Sequence, residues 1–300
     1  MNLGLGLEPV MPKYNPSNLD QFLKHVTPSI HAQYQSDVPP WGQPYFELKN
    51  LWEAYKEWST YGLGVTLVPQ GLAEVVQYYV PFLSGIGLYQ QPAPSETMNL
   101  FSGINQGEEI NSSSASCQNQ NQNKLRNEGS LNKVMNPDLL YQYLEDEKPT
   151  NRKPFADKIM ELADEFPELM TLKSCDLLPN SWFSISWYPI YRIPMANMLS
   201  DLHVSFLTFH SLSTPKREHP PNKILLPPFG LATYRYDFFH PIWKSECGTQ
   251  HETLLRCHMK DAAINHMCLL QVAHPDLVFF VSEGDRSLQF EEKERKYIRR

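Results

Sequence analysis

The chain has 300 residues, 41% of them hydrophobic, and a formal net charge of -7. That length and apolar content are enough for one sizeable buried core. The acidic balance argues against default binding to nucleic acid or an anionic membrane, because phosphate contacts draw on a surplus of Lys and Arg.

The opening MNLGLGLEPVMPKY has no charged leader region and no long apolar run, and no later stretch is long and apolar enough for a membrane helix. An intracellular protein of the nucleus or cytoplasm is therefore expected. Asn15 to Thr27 is predicted as a first helix, with Ser17 and Asp20 at capping-box spacing, a stripe of Leu19, Phe22, Leu23 and Val26, and Pro28 as its stop. Tyr45 to Tyr61 repeats Leu48, Leu51, Trp52, Tyr55 and Trp58 at helical spacing, and Gly62 suits its C-terminal cap. The pair Gly62 and Gly64 reads as a turn, since a dinucleotide loop needs a third glycine after a strand. Val75 to Tyr89 is β-branched and aromatic and is predicted as a strand, with Pro81 at an edge or a bulge. From about 91 to 136 the composition changes. In NSSSASCQNQNQNK, 11 of 14 residues are Asn, Gln or Ser, too polar to offset their ordering entropy, so a disordered insertion within one domain spanning 1–300 is expected. A strand from Asp138 follows, then a helix from Pro154 to about Phe166 with Phe155, Ile159 and Leu162 on its buried face. Three strands are predicted over Trp182–Ile193, Leu202–Leu212 and Ile224–Tyr236. A last helix runs from Thr249 to about Ala273, where His274-Pro275 ends it. Val278–Val281 reads as one more short strand, and a charged tail fills about 284–300. Consecutive strands with helices segregated beside them define an α+β fold with a mostly antiparallel sheet covered by helices.

The blocks NLDQFLKHVTP, LWEAYKEWSTYG, YYVPFLSGIGLY, SWFSISWYPIYRIP, FLTFHSLS, LPPFGLATYRY and HPDLVFF occur in this order along nearly the whole chain. Together they resemble the plant family catalogued as domain of unknown function 789. The resemblance implies a plant protein and brings no activity, catalytic residue or cofactor with it. His203 departs from the family pattern, which has small residues around Val204-Ser205 and no preceding histidine.

Several constellations resemble reactive sites. Asp201, His203 and Ser205 alternate along a strand, which sets their side chains roughly parallel and about 6.5 Å apart, too far for a hydrolase triad. Cys247, His251, Cys257, His258, His266 and Cys268 place six soft ligands within 22 residues. His258 and His266 are separated by roughly 12 Å of helical rise, so no zinc is expected. The five cysteines (Cys117, Cys175, Cys247, Cys257 and Cys268) are odd in number and without a CxxC pair, which fits reduced thiols. His210 ends a run whose buried face carries Val204, Phe206 and Thr208, so it needs a hydrogen-bond partner.

In SWFSISWYPIYRIP the odd positions Phe183, Ile185, Trp187 and Tyr191 read as a core face. The even positions hold Ser184 and Ser186, then Tyr188 and Arg192, and read as the opposite face. Pro189 and Pro194 forbid full pairing in the second half. Pairing inside the sheet is thus expected through Trp187, with Trp187, Tyr188, Tyr191 and Arg192 as candidate residues of a partner-binding edge. Asp201 and His210 form a candidate polar site. These features favour a non-catalytic intracellular protein-interaction module with a protein partner, no cofactor and no membrane. One alternative is an enzyme with a site assembled around His210, Asp201 and Arg192. Another is a weak single-stranded nucleic-acid binder, since residues 181–245 hold six Lys or Arg against three Asp or Glu.

Overall fold

The computed structural model describes residues 16–34, 43–68, 73–91, 138–190, 204–215, 222–234, 236, 243 and 249–282. Helix α1 (Asn18–His25) begins as its sequence dictates: the Ser17 hydroxyl accepts the Asp20 amide, and the Asp20 carboxylate accepts the Ser17 amide. The chain continues through three short strands, β1 (Ser29–His31), β2 (Gln33–Tyr34) and β3 (Pro44–Tyr45), into helix α2 (Leu48–Tyr61). Gly62 closes α2 with φ of 77°, a conformation open to glycine. Strand β4 (Leu63–Leu67) and the long strand β5 (Val75–Tyr89) follow, then β6 (Leu139–Leu144), a 3-10 turn at Pro149–Asn151, and helices α3 (Phe155–Glu165) and α4 (Glu168–Thr171). Strands β7 (Trp182–Pro189), β8 (Ser205–Ser211), β9 (Lys223–Leu225) and β10 (Pro228–Tyr234) precede helix α5 (Thr249–Leu269) and a further helix, α6, over 275–282.

Six strands make one curled antiparallel sheet in the order β10-β8-β7-β5-β4, with β6 also on β5. The fold is α+β, as expected. Strand β5 organises the sheet. Its first five residues pair β4, its last five pair β6, and its other edge pairs β7 from Tyr79 to Gly87. Pro81 falls in the interval that neither β4 nor β6 covers, where a missing N–H costs no ladder bond on that side. A bulge at Ser84 shifts the register and changes which side chains face which layer.

Both faces of this sheet are buried along β8 and along β7 as far as Trp187. The inner face packs Leu83, Phe183, Ile185, Trp187 and Phe206 against the stripes of α1, α2 and α3. Trp52 and Tyr55 of α2 meet the ring of Phe183 at 5.7 and 6.0 Å, and Phe155 of α3 at 6.0 and 4.8 Å. The outer face packs Tyr89, Trp182, Leu207 and Phe209 against Ala263 and Met267 of α5 and Leu277 and Phe280 of α6. Close approach is built in: a Cβ at Gly85 or Gly87 would come within 3.0 Å of the Trp182 indole, and one at Gly230 within 2.8 Å of the Ala263 methyl.

Five sequence expectations change. The even face of the SWFSISWY segment is not open: Trp182, Ser184 and Ser186 are wholly buried under α5 and α6. The VFFV segment is helical. His274 accepts the Leu277 amide through Nδ1 and so caps α6, with Pro275 at its first position. Helix α5 stops at Leu269, four residues early. Gln271 takes φ of 56°, and the Val272 amide reaches back to the Met267 carbonyl, a Schellman closure. The single strand expected over Ile224–Tyr236 is two, because Pro227 and Pro228 interrupt it. The Gly62–Gly64 turn leads directly into β4, which a turn reading does not contain.

The polar insertion expected over about 91–136 lies outside the described residues except for Gln91, and the tail over about 284–300 lies outside them entirely. The insertion's two ends are adjacent, since the Gln90 amide donates to the Asp138 carbonyl at 2.8 Å and Tyr89 pairs Leu139. Deleting Pro94 to Leu131 should therefore keep the β5–β6 ladder and change stability by only about 1 kcal/mol, in the stabilising direction. Loss of cooperative thermal unfolding in the deletion variant would contradict this.

Candidate functional site

The residues with chemical potential fall into four places: a sealed polar cluster under α6, a buried histidine relay, and two surfaces left open. The cluster grows from the outer face. Because β7 alternates, Ser184 and Ser186 point to the same side as Trp182, and the bulge places Ser84 beside them. Arg152, after the 3-10 turn, lays its guanidinium across this patch. Its Nε donates to the Glu147 carbonyl at 2.8 Å, and its Nη1 to Ser186 Oγ at 3.0 Å. Nη1 and Nη2 also donate to the two carboxylate oxygens of Asp276, both at 2.7 Å. The Ser84 hydroxyl donates to the same carboxylate. Both partners are almost fully buried, so this is a bidentate ion pair inside an apolar layer.

His274 lies 2.8 Å from Ser184 Oγ through Nε2. Ser184, His274 and Asp276 spell a hydrolase triad, yet the proton positions are wrong for one. Nδ1 accepts the Leu277 amide, so in the neutral ring Nε2 carries the hydrogen and donates it to Ser184. The serine hydroxyl in turn points to the Gly85 carbonyl at 3.4 Å. A general base needs the opposite arrangement, with Nδ1–H held by the carboxylate and a bare Nε2 facing the serine. Asp276 instead gives its oxygens to Arg152 and Ser84. Burial holds the His274 imidazole down to about 4, which keeps it neutral. The cluster is a polar fastening.

His210 is wholly buried and stacks on Phe183 at 4.9 Å. Its Nδ1–H donates to the Leu226 carbonyl at 2.8 Å, and Nε2 accepts from Thr208 Oγ1 at 3.0 Å. Thr208 Oγ1 accepts the Trp187 indole N–H at 3.0 Å. Every polar atom of this relay has a partner, and burial holds the His210 imidazole down to about 4. Trp187, offered by the sequence as a partner contact, is wholly buried in the inner layer. Tyr188 is half-buried: its ring meets Phe82 at 5.9 Å, and burial pushes its hydroxyl up to about 12. Tyr191, Arg192 and Asp201 lie outside the described residues, as does His203. Cys257 and Cys268 are exposed on α5, and among the described residues no group of three or more His, Cys, Asp or Glu sits close enough to share an ion.

Two surfaces remain open. On the outer face, beyond the reach of α6, Val76, Tyr78 and Ile190 are 47%, 38% and 44% exposed, flanked by half-buried Val80, Phe82 and Tyr188. At the opposite end a groove of about 870 Å³ lies between residues 223–227 and the segment 211–215 after β8, with Leu177 and Pro179 also lining it. Half-buried Cys175 lines it too, and burial, with Asp176 beside it, pushes that thiol up to about 11, which disfavours the thiolate. The sequence offered no sign of Arg152, His274 or Asp276. The one available cue was His-Pro-Asp, whose residues suit the cap and first turn of a helix.

These features define an α+β protein with a twice-covered antiparallel sheet and no described helix long and apolar enough to cross a membrane. Residues 17–280 match the family described as "Protein of unknown function (DUF789)", and the chain belongs to that family. No curated protein and no solved structure matches.

Two outcomes follow from the fastening. Arg152→Ala or Asp276→Ala alone should destabilise the protein by about 3–5 kcal/mol, each leaving a buried charge unpaired. The Arg152→Leu, Asp276→Leu double variant should cost clearly less than either single change, and denaturant unfolding of all three checks this. Stability should also fall as pH drops from about 6.5 toward 4. In that window the unfolded chain protonates His210 and His274 while the folded chain leaves both neutral, so unfolding takes up protons. The loss is roughly 1 kcal/mol per pH unit for each histidine. His274→Asn, which can still cap α6, should remove one histidine's share of that slope. An unchanged slope would contradict the assignment.

Proposed function

We propose that the protein is a non-catalytic interaction module of a plant cell, working in the nucleus or cytoplasm and binding a protein partner through the open part of its outer sheet face. The observation that carries this reading is the contiguous strip of Val76, Tyr78, Val80, Phe82, Tyr188 and Ile190, apolar and half-exposed on a sheet covered elsewhere on that face by α5 and α6. Large exposed apolar patches on folded proteins mark places where something docks. Tyrosines suit such a face because they bring apolar area at low entropic cost together with a polar tip. Beyond Trp187, β7 is paired, among the described residues, only by β5, so the strand's other edge adjoins the same strip. The plant setting rests on the resemblance of the WYPIYRIP and LPPFGLATY blocks.

A photo-crosslinking amino acid placed at Tyr78 should trap a discrete protein in plant cell extract. The same group at Met160, which is 57% exposed on α3, a helix of the inner cover, should not. Tyr78→Glu should abolish the adduct formed from a probe at Ile190, while the melting temperature moves by at most a few degrees, as for surface substitutions generally. Identical adducts at Met160 and Tyr78, or a collapse of stability in Tyr78→Glu, would overturn the reading.

A further inference from the structure

The groove at the far end of the molecule has a feature that the outer face lacks: an open backbone edge. Strand β9 pairs β1 and, among the described residues, no other strand. The Ala32 amide donates to the Asn222 carbonyl at 3.0 Å, and the Leu226 amide to the Pro28 carbonyl at 3.2 Å. With the register Ser29↔Leu225, Ile30↔Ile224 and His31↔Lys223, the hydrogen-bonded pairs fall on 222, 224 and 226. Lys223 and Leu225 consequently turn their N–H and C=O groups away from β1. Both residues line the groove, and Leu225 is 60% exposed.

The edge is held rigidly. The Leu226 amide is spent on Pro28, and its carbonyl accepts His210 at the end of the buried Trp187–Thr208–His210 relay. The opposite wall is tied as well, with the Thr214 amide on the Ser174 carbonyl at 3.1 Å and Gln43 Nε2 on the Thr214 carbonyl at 3.1 Å. Between the walls the lining is mostly proline, leucine, isoleucine and hydroxyl side chains, with Gln43 and Cys175, and among the described residues Lys223 is its one charge.

We propose that this groove takes an extended, acidic peptide segment of a partner protein, added as a strand antiparallel or parallel to β9. Free backbone groups two residues apart call for a partner in β conformation, because only an extended chain presents donors and acceptors at that repeat. Side chains of the incoming strand would alternate between the apolar walls and the Lys223 ammonium, which selects for aliphatic residues alternating with Asp or Glu. A lysine on an edge strand also discourages pairing with another copy of the same chain, so the occupant is not a second β9. The inference goes beyond the interaction-module reading and uses none of the residues of the outer strip.

The test uses the full chain and a fluorescein-labelled seven-residue peptide of alternating valine and glutamate, with a valine–lysine peptide as control, followed by anisotropy. The valine–glutamate peptide should bind with a dissociation constant below about 1 mM, and the control at least tenfold more weakly. Lys223→Glu should reverse that preference. Leu225→Pro deletes an outward N–H without touching the β1 ladder and should weaken binding about tenfold while leaving Tm nearly unchanged. Methylating the peptide nitrogens that would face β9 should abolish binding. Equal binding of the two peptides, no binding up to about 1 mM, or insensitivity to Leu225→Pro would overturn the proposal. So would concentration-dependent dimerisation that Leu225→Pro removes, because the edge would then belong to a second copy. Failure of the Tyr78 crosslinks would leave every one of these outcomes unaffected.

Discussion

The ion pair between Arg152 and Asp276 fixes how the second half of the chain sits on the first. A sheet with two apolar faces needs two covers. The inner cover is made by α1, α2 and α3, whose stripes each bring a full set of aliphatic and aromatic contacts. The outer cover ends in α6, which spans 275–282 and is too short to persist on its own. Apolar contact is non-directional and by itself fixes the position of so short a helix weakly. Bonds from Arg152, Ser84 and Ser184 to Asp276 and His274 remove that freedom. A shift of one turn, about 5.4 Å, breaks all of them and leaves a buried carboxylate facing hydrocarbon. The capping role of His274 completes the device, because the residue that starts the helix is also one that docks it.

The two buried histidines serve as structural hydrogen-bonders because both ring nitrogens of each already have a partner. A histidine gains catalytic use from a free ring nitrogen near a reacting atom and from a pKa near the working pH. His210 and His274 have neither: both ring nitrogens are engaged and both imidazoles are held near 4. The same reasoning applies to Cys175, the thiol lining the groove, which burial moves away from the thiolate. Among the described residues, the accessible surface includes an apolar strip on the outer face and a groove whose described lining carries one ammonium.

Elements with a long pattern were legible in the sequence. Strand β5 has the bounds its composition predicted, and α1 has the capping box that Ser17 and Asp20 announced. Strands β1 to β3 are two or three residues each and show no period to read. Helix α6 was hidden because VFFV favours strand locally and its cap is a histidine, whereas the usual cap signals are Ser, Thr, Asp and Asn. The polar cluster was illegible for another reason. Arg152 and Asp276 are separated by 124 residues, and serines alternating with aromatics look like a wet face. Polarity predicts exposure only when no partner for the hydroxyl is available inside, and Ser184 and Ser186 each have one.

The two open surfaces share a cause in the ladder. Strand β8 stops pairing β7 at Trp187, so among the described residues Tyr188 to Ile190 continue along β5 with no strand on their other side, and the face they share with Val76 and Tyr78 extends past α6. Strand β9 stands outside the main sheet because Pro227 and Pro228 break the chain between it and β10, which turns its second edge toward a groove. A covered sheet normally blunts such edges with charge, proline or an overlying helix. Here proline sits beside each gap, at Pro189 and at Pro227, and does two things at once. It prevents the strand from being completed by its own fold, and it leaves the preceding residues in the extended conformation that a second chain would need to meet. The interruption that limits the sheet is thus what makes its remaining backbone available.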